Sequence, residues 1–406
     1  MKPSSNKNTS VFPHGHIDRS KWKRVKLGDL GYTYNGLSGK TKQDFDTGDA
    51  FYIPFLNVLE NTEIDINNLG RVKVSALEKQ VCVQKSDLFF NTSSETPEEV
   101  GMCAYLSQEL SNTFLNSFCF GFRLYDKCAV DPRFLTYLFN SVYGRRVISS
   151  LAQGVTRYNL SKERLLRSEI HLPPITEQHR IANCVNIVEE NIVETNTLIS
   201  KYEAIKKATV KLLLEPKEGW QRLQIKDFAQ VYDGTHQTPH YTKSGIPFFS
   251  VENVTTNVFP GDKRISIREH RKLTAKFKIR RGDVLMTRIG SIGECRLVDW
   301  DYDSSFYVSL AALRFKPNLV LPEYFVAYST SRNFQEEVNI HSLPFAVPQK
   351  INLGPISDIY VSAPPLNEQR KIAARISAID DALKDCRAQL AKAKSLKQGM
   401  MSYFFG

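Results

Sequence analysis

One hexapeptide occurs twice and limits what this chain can fold into. Pro173-Pro174-Ile175-Thr176-Glu177-Gln178 returns 191 residues later as Pro364-Pro365-Leu366-Asn367-Glu368-Gln369, and Ile181-Ala182 returns as Ile372-Ala373. The echo extends upstream with small insertions. Trp22 matches Trp220, Tyr34-Asn35-Gly36 matches Tyr232-Asp233-Gly234, and Ile53-Pro54-Phe55 matches Ile246-Pro247-Phe248. Ser86-Asp87-Leu88 matches Gly282-Asp283-Val284, and Asp131-Pro132 matches Leu321-Pro322. Similarity at a nearly fixed period means a duplicated architecture. The 406 residues therefore read as two copies of one plan, each a globular segment followed by a long helix.

The helices are the clearest part of that plan. From Thr176, seam positions, most of them apolar, recur in alternating steps of four and three: Ile181, Val185, Val188, Ile192, Thr195, Ile199, Tyr202, Lys206, Thr209 and Leu213. The second copy carries Ile372, Ile376, Ile379, Leu383, Cys386, Leu390, Ala393, Lys397, Met400 and Phe404 at the same positions. Such spacing describes a coiled-coil seam. Thr176 and Asn367 are N-cap types, and Glu177 and Glu368 complement the helix dipole. Pro216 and Gly219 close the first helix. About 40 residues at roughly 1.5 Å each make a rod of about 60 Å. Two like units in one chain can pair about a two-fold axis, which makes the rods antiparallel. The alternative is an ordinary amphipathic face packed on each helix's own globular segment.

The globular segments read as mixed and strand-rich. Candidate strands are Ala50 to Val58, Gln80 to Phe90, Ser117 to Leu124, Gly245 to Val251, Asp283 to Arg288 and Tyr307 to Phe315. Asp131 to Val142 and Leu321 to Ser331 read as short helices. The expected fold is α+β: two mixed, strand-rich domains in pseudo-two-fold arrangement, separated by two long antiparallel coiled-coil helices. The boundaries are 1–175 and 216–365 for the domains, and 176–215 and 366–406 for the helices. Loop chemistry diverges where the framework agrees. Leu37-Ser38-Gly39-Lys40-Thr41-Lys42 follows one Asn-Gly, and Thr235-His236-Gln237-Thr238-Pro239-His240 follows the matching Asp-Gly. Such loops are either two reading heads of different specificity or two solvated loops that drifted.

The net charge of +11 and pI near 9.2 favour polyanionic partners. Seven scattered cysteines without a CxxC pair argue against a disulfide framework or a zinc ribbon, and fit reduced thiols in a cytoplasm. The polar first ten residues show no signal peptide, and no apolar run is long enough for a membrane span. Catalytic constellations are missing. The Gly39-Lys40-Thr41 stretch has Tyr34 where a P-loop needs its first glycine, and HExxH, GxSxG and GxGxxG are absent. Gly290-Ser291-Ile292-Gly293 is either a phosphate-contacting turn or a plain tight turn. His171 and His179 have no histidine counterparts in the second copy, which disfavours a metal site.

These features resemble the specificity (S) subunits of type I restriction–modification systems. The resemblance is carried by the two Pro-Pro-x-x-Glu-Gln helix starts, by Asp233-Gly234-Thr235-His236 with Gly245-Ile246-Pro247, and by Gly282-Asp283-Val284-Leu285 with Gly290-Ser291-Ile292-Gly293. In the first copy, Tyr34-Asn35-Gly36-Leu37-Ser38-Gly39-Lys40 takes part, and Ser86-Asp87 stands where the second has Gly-Asp. The resemblance implies a non-catalytic subunit with two target-recognition domains, each reading one half of a split, asymmetric site in double-stranded DNA. It implies two methylation subunits that modify adenine with S-adenosylmethionine, and restriction subunits that use ATP and Mg2+. No cofactor is expected in this chain. A protein-interaction scaffold with a helical bundle is the alternative from another class, and a self-contained enzyme is a third.

The expected phosphate contacts are Lys40, Lys42, Arg157, Lys243, Arg288 and Lys350. Ser38, Thr92, Gln153, Tyr158, Thr235, His236, His240, Ser291 and Gln349 are the candidate polar contacts. Partner helices completing a four-helix arrangement would meet Glu177, Gln178, Ile181, Ile192 and Ile199, together with Glu368, Gln369, Ile372, Leu383 and Leu390. For the glutamates and glutamines the role is either subunit docking or helix initiation.

Overall fold

The structure is a computed structural model that describes residues 17–75 and 77–406. It divides into two compact units, Met1–Glu194 with Leu390–Gly406, and Thr195–Gln389. Each unit therefore holds one globular head and a length of both long helices.

The first unit's head is built on an antiparallel four-stranded sheet in the order Gly31–Asn35, Cys119–Leu124, Leu88–Asn91, Cys103–Tyr105. A second sheet orders Gly70–Val72, Phe45–Ile53 and Thr113–Leu115, the last pair being parallel. Lys23–Lys26 pairs with Glu169–Leu172 just before the long helix. The central strand Leu88–Asn91 is buried on both faces, and Phe90 stacks on Phe120 with centroids 5.3 Å apart. The second unit repeats this topology. Its four-stranded sheet orders Ala229–Asp233, Leu310–Phe315, Val284–Thr287 and Cys295–Leu297. Its other sheets are Arg264–Ile265, Tyr241–Phe249, Ser305–Phe306 and the pair Gln221–Gln224 with Tyr360–Ala363. The sequence repeat is thus a repeat of strand order.

Several strands are shorter than the pattern predicts. Gln80 to Phe90 is strand only from Leu88, because Ser86 takes a φ of 73° and breaks the run. Its counterpart Gly282 takes 89°, so the Ser-for-Gly exchange preserves the turn at the cost of a left-handed serine. Ala50 to Val58 ends at Ile53; Pro54 stops the strand and Phe55–Glu60 is helical.

The long helices run Ile175–Leu214 and Leu366–Phe405. Each starts one residue before the expected cap, so Thr176 and Asn367 lie inside the first turn, and the Pro174 and Pro365 carbonyls accept from Glu177 and Glu368 at 2.9 and 2.8 Å. Every position of both predicted seams is buried or half-buried. In the first unit, Ile181, Val185 and Val188 share a core with Met400, Phe404 and Phe405. In the second unit, Leu214 shares a core with Ile372, Ala373 and Ile376. Glu203 pairs with Arg387 and Lys206 with Asp380, so the segments run antiparallel there. The seam lysines form the same ion pair at matched positions, Lys206 with Asp380 in one unit and Lys397 with Glu189 in the other.

Gln178 and Gln369 explain the doubled motif. Gln178 accepts from the Asp131 N–H at 3.0 Å and donates to the Pro173 carbonyl at 2.9 Å. Gln369 accepts from the Leu321 N–H at 2.8 Å and donates to the Leu319 and Pro364 carbonyls. Both are buried, and each ties the start of a long helix to the short head helix beside it, Pro132–Asn140 or Pro322–Tyr328. Replacing Gln369 by alanine leaves one buried and two part-buried backbone groups without that partner, a loss of about 1–3 kcal/mol. Thermal denaturation checks this; an unchanged midpoint contradicts the tie.

Candidate nucleic-acid interface

In the first unit, the loop after Asn35 is braced from below. The Gln80 amide holds both backbone groups of Ser38, at 3.1 and 2.8 Å, and leaves Ser38 exposed. Lys42 is exposed on a short turn capped by Thr41 and Asp44. Lys40 departs from expectation. Its ammonium meets Glu78 and the Lys73 carbonyl, each at 2.5 Å, and its side chain is only 5% exposed. The hydrogen bond from Lys40 leads the effects that hold the Glu78 carboxyl down at about 2. Lys40 is therefore a loop brace rather than a free phosphate contact.

The other candidates of this unit converge. Ala152–Gln153, Tyr158–Leu160 and Ser93–Ser94 form one small sheet in which Gln153 faces Asn159 and Tyr158 faces Ser94. Thr92 enters it through its carbonyl, which accepts from Leu160 N–H at 2.9 Å. Arg157 stands exposed at the hairpin tip. Lys162 bonds Asn35 and lies 5.6 Å over the Phe120 ring, where burial lowers its pKa.

In the second unit, Asp233 organises the equivalent place. Its carboxylate meets His236 Nε2 at 2.7 Å and the Arg288 guanidinium at 2.8 Å. The Arg288 side chain is 5% exposed, and its Nε has no hydrogen-bond partner. Like Lys40, Arg288 shapes a loop from beneath, because its charge is already neutralised. Its carbonyl accepts from Ile351 N–H as Thr92 accepts from Leu160 N–H, so the two heads set different residues at one position. Thr235 bridges Tyr307, and its hydroxyl donates to the Gln237 carbonyl at 3.3 Å. His240 and Lys243 are exposed. Gly290 N–H donates to the Gln349 carbonyl at 2.8 Å and Ile289 bridges Lys350, which brings Gln349 and Lys350 to the Gly290–Gly293 turn. On that turn Ser291 is exposed and donates to Glu294 at 2.9 Å.

The proposed partner face needs correction. Gln178, Gln369, Ile181, Ile372 and Leu383 are buried, and Ile192, Ile199 and Leu390 are half-buried on the same seam. Glu177 is chelated by Arg180 at 2.7 Å, which lowers its pKa; Glu368 is half-buried in the first helical turn. A different stripe is open. Leu198, Ile205 and Leu212 are exposed at seven-residue spacing, one position before the inner seam. That second heptad was readable but masked by the stronger first. Also missed were Lys276, Lys278 and Arg280, alternate basic residues around an open cleft of about 350 Å3. Tyr232 and Phe277 stack there at 3.8 Å.

All seven cysteines are free, Cys82 and Cys128 being exposed. Among the described residues no cluster of His, Cys, Asp and Glu could hold a metal ion, and no helix is long and apolar enough to cross a membrane.

Known proteins share this plan. The chain is 22% identical over 408 residues to a putative type I restriction enzyme MjaX specificity subunit of Methanocaldococcus jannaschii, covering 94% of this chain and 92% of that protein. It is 21% identical to the EcoKI specificity subunit of Escherichia coli K12, covering 95% and 88%. The crystal structure of a type I restriction–modification S subunit from M. genitalium superposes with a TM-score of 0.66 at 15% identity, covering 95% and 96%, which establishes the shared fold. The family model for the type I restriction modification DNA specificity domain matches residues 19–204 and again 217–392. Matched twice along most of its length, the chain belongs to the type I restriction–modification DNA specificity family.

Proposed function

We propose that this chain is the DNA-reading subunit of a cytoplasmic type I restriction–modification complex, and that each unit reads one half of a bipartite, asymmetric duplex site. Two methylation subunits carry out adenine methylation with S-adenosylmethionine, and restriction subunits cleave with ATP and Mg2+. This chain supplies position and sequence choice and performs no bond-making step. The observation that carries the reading is one strand order with unlike loops: Ser38 and Lys42 stand in one head where Thr235, His236 and His240 stand in the other. A shared scaffold fixes where a loop meets the groove, and the loop's polar groups decide which base edges it matches. The exposed Leu198, Ile205 and Leu212 stripe supports docking of a partner helix of the methylation subunits.

The complex assembled with its methylation subunits should bind its motif with log affinity falling linearly in log salt. Lys350→Ala should reduce that slope by about one, the signature of a single lost phosphate contact. A salt-independent affinity refutes the reading. Long-read methylation mapping of the host, with and without this gene, identifies the motif.

A further inference from the structure

Each head holds an apolar side chain in open water at the tip of a matching loop, a β-hairpin in the first unit and a turn in the second. In the first unit the tip joins Ala152–Gln153 to Tyr158–Leu160, and Val155 is 90% exposed. In the second unit the stems are pinned by Leu343 N–H to the Lys350 carbonyl at 2.8 Å and by Ile351 N–H to the Arg288 carbonyl at 2.9 Å. Between those stems Phe345 is fully exposed and Val347 is 97% exposed. Phe345 also takes a φ of 68°, a left-handed backbone that bulky residues rarely adopt. A solvated aromatic ring and a strained backbone are both unfavourable in the free protein. Single exposed apolar residues are common on surfaces. Here the exposure recurs at one topological position in both copies, with Arg157 beside one tip and Gln349 and Lys350 at the root of the other.

The geometry points to Phe345 as a wedge that enters between adjacent base pairs in the half-site read by the second unit and kinks the duplex there. This inference rests on the DNA-reading role proposed above. Apolar side chains on rigid supports unstack base steps in this way, and flanking cations offset the charge of the phosphates drawn together by the bend. The Leu343–Lys350 and Ile351–Arg288 hydrogen bonds anchor the base of the loop that carries the ring, and its exposure leaves it free of the protein's own core. Val155 is too short to part a base step, so in the first unit the tip contacts groove edges such as a thymine methyl without unstacking. The two halves of the site therefore differ in distortion as well as in sequence.

The test uses the full chain assembled with its methylation subunits and a short duplex bearing the mapped motif. 2-Aminopurine replaces bases singly across both halves and their flanks, leaving out the methylated adenine. Fluorescence should rise several-fold at one step in the second unit's half and stay at the duplex level throughout the other. Phe345→Ala should abolish that rise and weaken site binding by about tenfold, while Phe345→Leu keeps part of both. Because Phe345 packs on nothing, the melting temperature of Phe345→Ala should match the parent, which separates a lost wedge from a lost fold. An unchanged fluorescence profile and affinity in Phe345→Ala overturns the wedge while leaving DNA reading intact. Failure of Phe345→Ala to assemble with the methylation subunits overturns it in favour of a protein contact. Absence of site-specific binding by the parent complex overturns the underlying role as well.

Discussion

A complex in which residues 217–365 are replaced by the matching stretch of another family member methylates a hybrid motif: one half is new and the other unchanged. The structural reason is the independence of each head's core. Val284, Met286, Leu313, Tyr324 and Phe325 form one cluster of the second unit, and Phe249, Trp300 and Phe306 another; neither includes a residue of the first head. The join at Lys217 lies just after the first helix, and the join at Pro365 just before the second, so both helices and their seam are retained. Gln369 bonds only backbone groups on the exchanged side, the Leu321 N–H and the Leu319 and Pro364 carbonyls, so another sequence can present the same partners. Methylation mapping reads the result directly. A mismatched base pair typically costs about 1–3 kcal/mol in a specific site, so half of a motif should change completely rather than blur. A change in both halves, or in neither, contradicts modular reading.

What could be read from the sequence follows the range of the interactions. The helical seam is periodic, and each of its positions depends on neighbours three and four residues away, so every one of them faces inward as expected. The order of strands was accessible only as a repeat, since neither copy alone reveals that Leu88–Asn91 lies between Cys119–Leu124 and Cys103–Tyr105. The candidate loops could be placed from the repeat, but the pairing of their charges could not. Lys40 meets Glu78, and Arg288 meets Asp233, across separations that no local pattern records. The glutamines of the doubled motif left two roles open, subunit docking or helix initiation, for the same reason. A polar residue at a helix start reads as solvent-facing until the carbonyls and N–H groups it serves are brought to it from the head.

Asp283→Ala should destabilise the second unit by about 3–5 kcal/mol, and Asp87→Ala the first by a similar amount, because each removes one partner of a buried ion pair. Asp87 receives Arg123 through Nε at 2.8 Å and a terminal nitrogen at 2.7 Å, with Tyr34 Oη at 2.6 Å and Gln84 N–H at 2.8 Å. Asp283 receives Arg314 in the same two-pronged way at 3.0 and 2.7 Å, with Arg280 N–H at 2.9 Å. Both carboxylates are buried, and the hydrogen bonds they accept raise the pKa of each arginine. Each clamp joins the turn before a central strand to the neighbouring strand, and it is rebuilt with Ser86 in one copy and Gly282 in the other. Truncating the acid leaves a guanidinium over aromatic rings, Tyr34 at 4.8 Å or Phe277 at 4.4 Å, with no counter-charge. Trp300 packs in the second head and Trp22 in the first, so denaturant titration followed by fluorescence should show a lowered transition in the mutated head. Replacing both partners with apolar residues, Asp283→Leu with Arg314→Met, should recover much of the loss, since no charge is then left buried. A loss below about 1 kcal/mol for Asp283→Ala would place the pair among surface ion pairs and remove the clamp from the account of how the head holds its loops.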